Sequence, residues 1–285
     1  MKGIRTHLTL ARASNLATTW SNVLCAFLLV GEMDYAILLP ALIAVSLFYT
    51  GGMYLNDWRD VSFDAVHRIE RPIPSGLISR KAVLLWVVGY FIVGLGICLI
   101  VDIQSIGWTL LLLGFIIAYD LHHKGVPWSP FTMAACRALI FPWAATLVSG
   151  GVPLIVWVAA VSSFCYTAGL SFVARGVGNP KRLLITAGIV IVAPAVYWIA
   201  LLWETPNGVA LFALAAFLAW SAFSLSGAFR RPPNVDFTIK NLIAGMICLD
   251  LLMVASSLWL GLPMVAIFGL LFITTLMFQT KIPST

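Results

Sequence analysis

The chain has 285 residues, 61% hydrophobic and only 10% charged, with a formal net charge of +6 and a mean hydropathy of +1.00. A soluble domain of this length carries about a quarter charged residues, so the composition excludes one and indicates an integral membrane protein. The expected fold is all-α: a single domain over residues 1–285, a polytopic membrane bundle of about nine to ten helices.

Apolar runs of roughly 17–25 residues, long enough to span a bilayer, recur along the whole chain. The first, near 16–31, follows Lys2, Arg5 and Arg12 without a small-residue cleavage site and reads as a retained helix. Asn15 and Asn22 lie two turns apart on one face of it. The second, near 36–56, runs into Asn56-Asp57-Trp58-Arg59-Asp60-Val61-Ser62-Phe63-Asp64. On a helix Asp57, Asp60 and Asp64 fall at i, i+3 and i+7, with Asn56 one turn before Asp60, so their side chains share one face. Three acids this close repel one another unless a cation sits among them. Oxygen-only ligands suit a hard divalent ion, and Mg²⁺ keeps several waters while bridging carboxylates to a substrate phosphate. Asn56, Asp57, Asp60 and Asp64 are the candidate metal ligands, with the three acids as catalytic candidates. The competing reading is a solvated acidic cap. Four matched positions followed by a basic run favour the site.

That basic run is Arg68-Ile69-Glu70-Arg71-Pro72-Ile73-Pro74-Ser75-Gly76. Its prolines stop the helix and its glycine permits a tight turn, so the loop should be stiff. It holds Arg68 and Arg71 near the acids, where guanidinium groups can fork onto phosphate oxygens. Arg80 and Lys81 fit anionic lipid instead. Spans near 82–101 and 105–119 follow, then Tyr119-Asp120-Leu121-His122-His123-Lys124. There Lys124 can reach a diphosphate and Tyr119 can line a cavity mouth; the two adjacent histidines point apart and receive no role. Further spans lie near 131–149, 153–174, 183–203, 207–227 and 238–260. Asp250 falls mid-span in the last of these and must face the interior, with Arg137 or a helix hydroxyl as candidate partner. The segment 263–279 is a tenth span or a re-entrant end.

Alternating spans with a cytoplasmic N-terminus place all 17 Lys and Arg residues on the inner side, while Glu32, Asp34, Asp102 and Glu204 fall outside. This asymmetry follows the positive-inside rule and supports an even number of spans. The positive charge therefore reads as topology plus an anionic ligand, with no nucleic-acid partner. Cys25, Cys98, Cys136, Cys165 and Cys248 lie in apolar segments without metal spacing and read as packing residues. The chain lacks P-loop, zinc-protease and serine-hydrolase motifs.

The set Asn56-Asp57-x-x-Asp60-x-x-x-Asp64, Arg71-Pro72-Ile73-Pro74-Ser75-Gly76 and Tyr119-x-x-x-x-Lys124 resembles the UbiA superfamily of intramembrane aromatic prenyltransferases. The resemblance covers the chain in span count, motif order and sidedness. It implies a helical bundle around a central lipid-accessible cavity capped by inner loops, with Mg²⁺ as cofactor at the first motif. It also implies a prenyl diphosphate donor and an aromatic or lipophilic acceptor whose identity stays open. No obligate protein partner follows from it. The implied location is a bacterial inner membrane, with the site facing the cytoplasm. Resemblance around Arg12-Ala13-Ser14-Asn15 adds Asn15 to the diphosphate-binding candidates.

One part of the pattern is missing. The family carries a second acidic motif at the inner end of the sixth span, but Tyr166 to Arg182 contains no carboxylate, nor does any position between Asp120 and Glu204. Three explanations stand. Arg175, with Lys181 or Arg182, takes over the charge of a second metal and becomes a catalytic candidate. Alternatively, the donor or reaction has changed and one Mg²⁺ suffices, or catalysis is lost and the fold binds or transports an isoprenoid lipid. The stretch also resembles a small UbiA-like branch encoded in bacterial ebo operons.

Overall fold

The computed structural model describes residues 2–122, 126–176, 181–204, 206–258 and 261–282. Among them there is no strand. A short amphipathic helix, α1 (Lys2–Leu10), leads into α2 (Leu16–Val30) and the long α3 (Tyr35–His67). Then come α4 (Arg80–Val101), α5 (Ile106–His122), α6 (Ser129–Ala138), α7 (Ile140–Ser149) and α8 (Leu154–Gly176). The chain continues through α9 (Lys181–Val192), α10 (Ala195–Glu204), α11 (Gly208–Ser226), α12 (Val235–Ser257) and α13 (Leu262–Gln279). Grouped by length and apolarity, these supply 10 candidate membrane spans among the described residues, and the segment ending at Gln279 is one of them. An even count returns the chain to the side from which it started.

Two expected spans are each built from two helices. The fifth breaks at Leu139 between α6 and α7, where Pro142 lacks the N–H that would bond back to Ala138. The seventh breaks between α9 and α10, at Ala193 and Pro194. The most enclosed helices are α2 and α12, which pack on each other while α3, α7, α8 and α13 surround α2. Close approach of α3 and α4 depends on two glycines. A Cβ on Gly51 would lie 2.5 Å from the Phe91 ring, and one on Gly94 would lie 2.5 Å from the Phe48 ring. Each aromatic ring thus fills the notch left by the opposite glycine, and small residues let the two helices approach closely.

The position of the site follows from the length of α3. Asp34 caps its start, accepting a bond from the Ala36 N–H at 2.8 Å. Its 33 residues extend roughly 50 Å at 1.5 Å per residue, well beyond a hydrocarbon core of about 30 Å. The apolar run ends near Asn56, but the helix continues to His67 and carries the acidic motif beyond the apolar layer. The following loop folds back through Ser75 N–H to Arg71 O (3.0 Å) and Leu77 N–H to Pro72 O (3.0 Å), with Gly76 at φ +77°.

Candidate functional site

A cavity of about 490 Å³ opens between α2, α3, α5, α6, α8 and α12. Val45, Phe48, Leu112, Ile140, Leu170 and Met246 form apolar wall, whereas one end gathers Arg12, Asn56, Asp60, Arg68, Asp120 and Arg175. An apolar barrel with a mixed-charge rim suits an amphiphile with an anionic head, and its volume lies within the roughly 300–1,000 Å³ of ligand pockets.

Of the sequence candidates, Asn15, Asn56, Asp60, Arg68, Tyr119 and Arg175 line this cavity. Asp57, Asp64 and Arg71 do not: they are buried behind the wall, so part of the motif supports its neighbours. Lys124 and His123 lie outside the described residues, as do the side chains of Lys181 and Arg182. His122 is exposed, with Nδ1 3.2 Å from Ala118 O at the end of α5, and takes no part in the rim.

The rim is organised by Arg12, which sequence reasoning counted only as a topological charge. Its backbone sits in the left-handed region at φ 42°, ψ 49°, between α1 and the first span. A non-glycine residue held there costs on the order of 1–3 kcal/mol and persists only where its surroundings fix it. Those surroundings are α3. Arg12 Nη1 donates to Met53 Sδ (3.4 Å), and Nη2 donates to Asn56 Oδ1 (3.1 Å) and Asp57 Oδ1 (3.3 Å). Tyr49 Oη donates to the Arg12 carbonyl at 3.4 Å. Asn56 passes the contact onward, since its Nδ2 donates to Asp120 Oδ1 at 3.3 Å. Asp120, 1% exposed on α5, is a second participant to which the sequence reading assigned no role.

Asp57 is shared between two guanidinium groups. Arg71 Nη1 also donates to its Oδ1, at 3.4 Å. Burial pulls Arg71 below the usual guanidinium range, and Asp57 counters that shift. Asp57 Oδ2 is buried without a hydrogen-bond partner. An orphaned carboxylate oxygen of this kind carries a desolvation cost that a cation would remove. It fits Mg²⁺, as does the all-oxygen donor set around it. Among the described residues no three His, Cys, Asp or Glu side chains converge to hold a metal ion. The donors therefore suit an ion that shares its coordination with substrate phosphate and water, rather than a closed protein cage.

Across the rim Arg175 ends α8. Its Nη1 donates to Val126 O (3.0 Å) and Pro127 O (3.4 Å), and its Nη2 bonds to Ser129 Oγ. It thereby ties the end of the sixth span to the start of α6. Deeper in the membrane, Asn22 does not line the cavity. Its amide donates to both Asp250 oxygens (3.0 and 2.8 Å) and its Oδ1 accepts from Arg137 (3.0 Å). The expected Asp250–Arg137 pairing is thus relayed through Asn22, while a helix hydroxyl, Ser21 Oγ, bonds Asp250 directly at 2.5 Å. The cysteines are free among the described residues. Cys25 and Cys98 are buried, while Cys136 lines the cavity. Tyr49, Phe63 and Tyr119 also line the cavity, aromatic rings of the kind that attract cations.

Together these features define a multi-pass integral membrane protein with a largely apolar cavity lined in part by charged residues. The UbiA prenyltransferase family matches residues 16–242, and the chain belongs to that family. A digeranylgeranylglyceryl phosphate synthase of Methanothrix thermoacetophila is 36% identical over 124 residues, 43% of this chain and 46% of that protein. The chain thus spans about half the length of the curated relatives it matches. A UbiA homologue from Aeropyrum pernix K1 superposes with a TM-score of 0.71 at 14% identity, over 86% of this chain and 98% of that one. A UbiA homologue from Archaeoglobus fulgidus, bound to GPP and Mg²⁺, gives 0.67 at 12% identity, over 93% and 99%. At such identities the two structures establish a shared fold.

Proposed function

We propose that this chain is an enzyme that transfers an isoprenyl group from a prenyl diphosphate to an aromatic or lipophilic acceptor inside the membrane. The observation that carries this reading is the cavity itself, an apolar barrel whose one polar end combines carboxylates with guanidinium groups. The diphosphate head would sit among Arg12, Asn56, Asp60, Arg68 and Arg175, with Arg71 acting from behind through Asp57. Asn15 and Tyr119 would complete the mouth. Lys124 belongs to the same proposal on sequence grounds. The prenyl tail would lie along Val45, Leu112, Ile140 and Leu170. Asp60 on the cavity wall, with Asp57 behind it, would hold Mg²⁺, which would supply charge neutralisation to the leaving group.

The C1–O bond of the donor breaks and its electron pair leaves with the diphosphate. Arg68 and Arg175 stabilise that charge electrostatically. The acceptor's nucleophilic atom gives an electron pair to C1, and its proton passes to water at the inner mouth. Apolar walls exclude water from the allylic cation, and the aromatic rings of Tyr49 and Tyr119 can stabilise it. The site would face the cytoplasm of a bacterial plasma membrane, as the one-sided distribution of Lys and Arg supports.

The test is titration of purified protein in lipid nanodiscs with geranyl, farnesyl and geranylgeranyl diphosphates, with and without Mg²⁺, while diphosphate release is followed with acceptors present. Mg²⁺-dependent binding of one donor, with release when an acceptor is added, is the expected result. Binding without release across a broad acceptor panel would favour a non-catalytic isoprenoid carrier, a reading supported by the missing carboxylates of Tyr166 to Arg182. Absence of donor binding would sink both.

A further inference from the structure

Two carboxylates line the cavity among the described residues, Asp60 from α3 and Asp120 from α5. Gly52, Asn56 and Asp60 stand on three successive turns of α3, and all three belong to the same wall. Asp120 meets the first two of them. Its Oδ1 accepts from Asn56 Nδ2 at 3.3 Å. A Cβ on Gly52 would lie 3.0 Å from Ile116 Cγ2 and 3.5 Å from Asp120 Oδ2, so the bare glycine lets this end of α5 close on α3. An α5 carboxylate is thereby brought up to the acidic face of α3, one turn deeper than Asp60.

The two partners of Asn56 decide which way its amide faces. Arg12 can only donate, so its Nη2 takes the amide oxygen at 3.1 Å; an ionised carboxylate can only accept, so Asp120 takes the amide nitrogen. Asn56 Oδ1 is therefore turned toward a cation, beside Asp57 Oδ1, which accepts from the same Arg12 nitrogen at 3.3 Å. Asp57 Oδ2, buried without a hydrogen-bond partner, is an independent sign that a cation belongs in this cluster. Asp120 points the same way. It lies in the last turn of α5, where the helix dipole disfavours an anion, and it is almost wholly buried. A cation on the cavity side offsets both costs.

We propose that Asp120 is the second carboxylate of the donor's cation site, supplying from α5 the negative charge that α8 does not carry, and that it positions Asn56 with its oxygen toward the cation. The proposal rests on the prenyl-transfer reading and adds a residue to its donor site. Mg²⁺ is commonly held by one or two carboxylates together with substrate phosphates, and Asp60 and Asp120 meet that need from two different helices. Asp120 then acts on the donor with opposite sign in the two conditions. When Mg²⁺ is bound, carboxylate and diphosphate share a cation; when it is withheld, two anions face each other across the cavity and repel. A packing role for Asp120 would move both conditions in the same direction.

The experiment measures equilibrium binding of unreactive geranylgeranyl thiodiphosphate to the full chain in nanodiscs of neutral lipid, once with Mg²⁺ and once with EDTA. Asp120→Asn keeps an acceptor for the Asn56 amide and removes the charge. Relative to the wild type it should bind about 30-fold or more weakly with Mg²⁺, yet about threefold or more tightly in EDTA. Asp120→Glu, which keeps the charge, should stay within about fivefold of the wild type in both conditions. Any result without that crossing of sign overturns the proposal: weakening in both conditions marks packing, and unchanged Mg²⁺-dependent binding marks a carboxylate outside the site. Crossing in Asp120→Glu overturns it as well, since charge would not be the cause. If the asparagine variant does not fold, Asp120→Ser carries the same comparison. A wild type without Mg²⁺-dependent binding counts against the prenyl-transfer reading itself, whereas a wild type that binds and a variant that does not cross count against Asp120 alone.

Discussion

The two inner ends that face each other over the cavity, the last third of α3 and the end of α8, have opposite electrostatic character. On α3 Asp60 brings a carboxylate to the cavity wall and Asp57 and Asp64 place two more behind it, and Arg12 and Arg71 already neutralise part of that charge through Asp57. On α8 the corresponding end carries no carboxylate, and Arg175 bonds the carbonyls of Val126 and Pro127. One side can share a metal with a diphosphate, whereas the other can only offer a fixed cation. A leaving group bound between them would meet a metal on one flank and a guanidinium on the other. Under the proposed function, that asymmetry would let a single acidic motif serve an anionic diphosphate head.

The largest break in that comparison should come from Asp57→Asn. This substitution keeps an acceptor for Arg12 and Arg71 but removes the charge beside the orphaned oxygen. Mg²⁺-dependent binding of prenyl diphosphate should weaken by about 1,000-fold, roughly 4 kcal/mol, in a filter-binding assay. Tight metal-dependent binding by this variant would remove Asp57 from the metal site.

On the other flank, Arg175→Ala should lower turnover by about 100-fold or more with the fold intact, since one electrostatic donor to a developing charge contributes about that much. The measurement is single-turnover diphosphate release alongside a thermal unfolding curve. Unchanged release would end the idea that this cation stands in for a second metal.

The smallest effect belongs to Arg12, which braces the α3 flank. Arg12→Ala should raise the donor Kd by roughly tenfold, the scale of one charge-assisted bond. Arg12→Gly should lose the same contacts yet unfold at higher temperature than the alanine variant, because glycine adopts the left-handed backbone with about 1 kcal/mol less strain. Identical melting of the two variants would mean that the left-handed residue contributes no strain.

Much of this was legible because membrane and metal chemistry each leave local patterns. Ten apolar runs, one-sided basic residues and acids at i, i+3 and i+7 need no partner from elsewhere in the chain to be recognised. The second span was bounded near position 56 by its apolar run, yet α3 continues to His67, since leaving the hydrocarbon layer does not end a helix. The break at Leu139 had a signal in Pro142, and Arg137 had one as a charge inside an apolar stretch. Arg12 and Asp120 had none, because each acts through Asn56, 44 and 64 positions away.

The sequence by itself determined the class of protein and its spans, because hydropathy acts over short stretches, and helical spacing singled out the acidic motif as the candidate site. Only the tertiary structure decided which motif residues reach the cavity and which stand behind it. It alone set Arg12 against Asn56 and Asp57, and separated Asp250 from Arg137 by one amide. Those choices depend on how α2, α3, α5, α6 and α12 are packed together, and polar partners brought from distant segments carry no spacing that a linear reading can recognise.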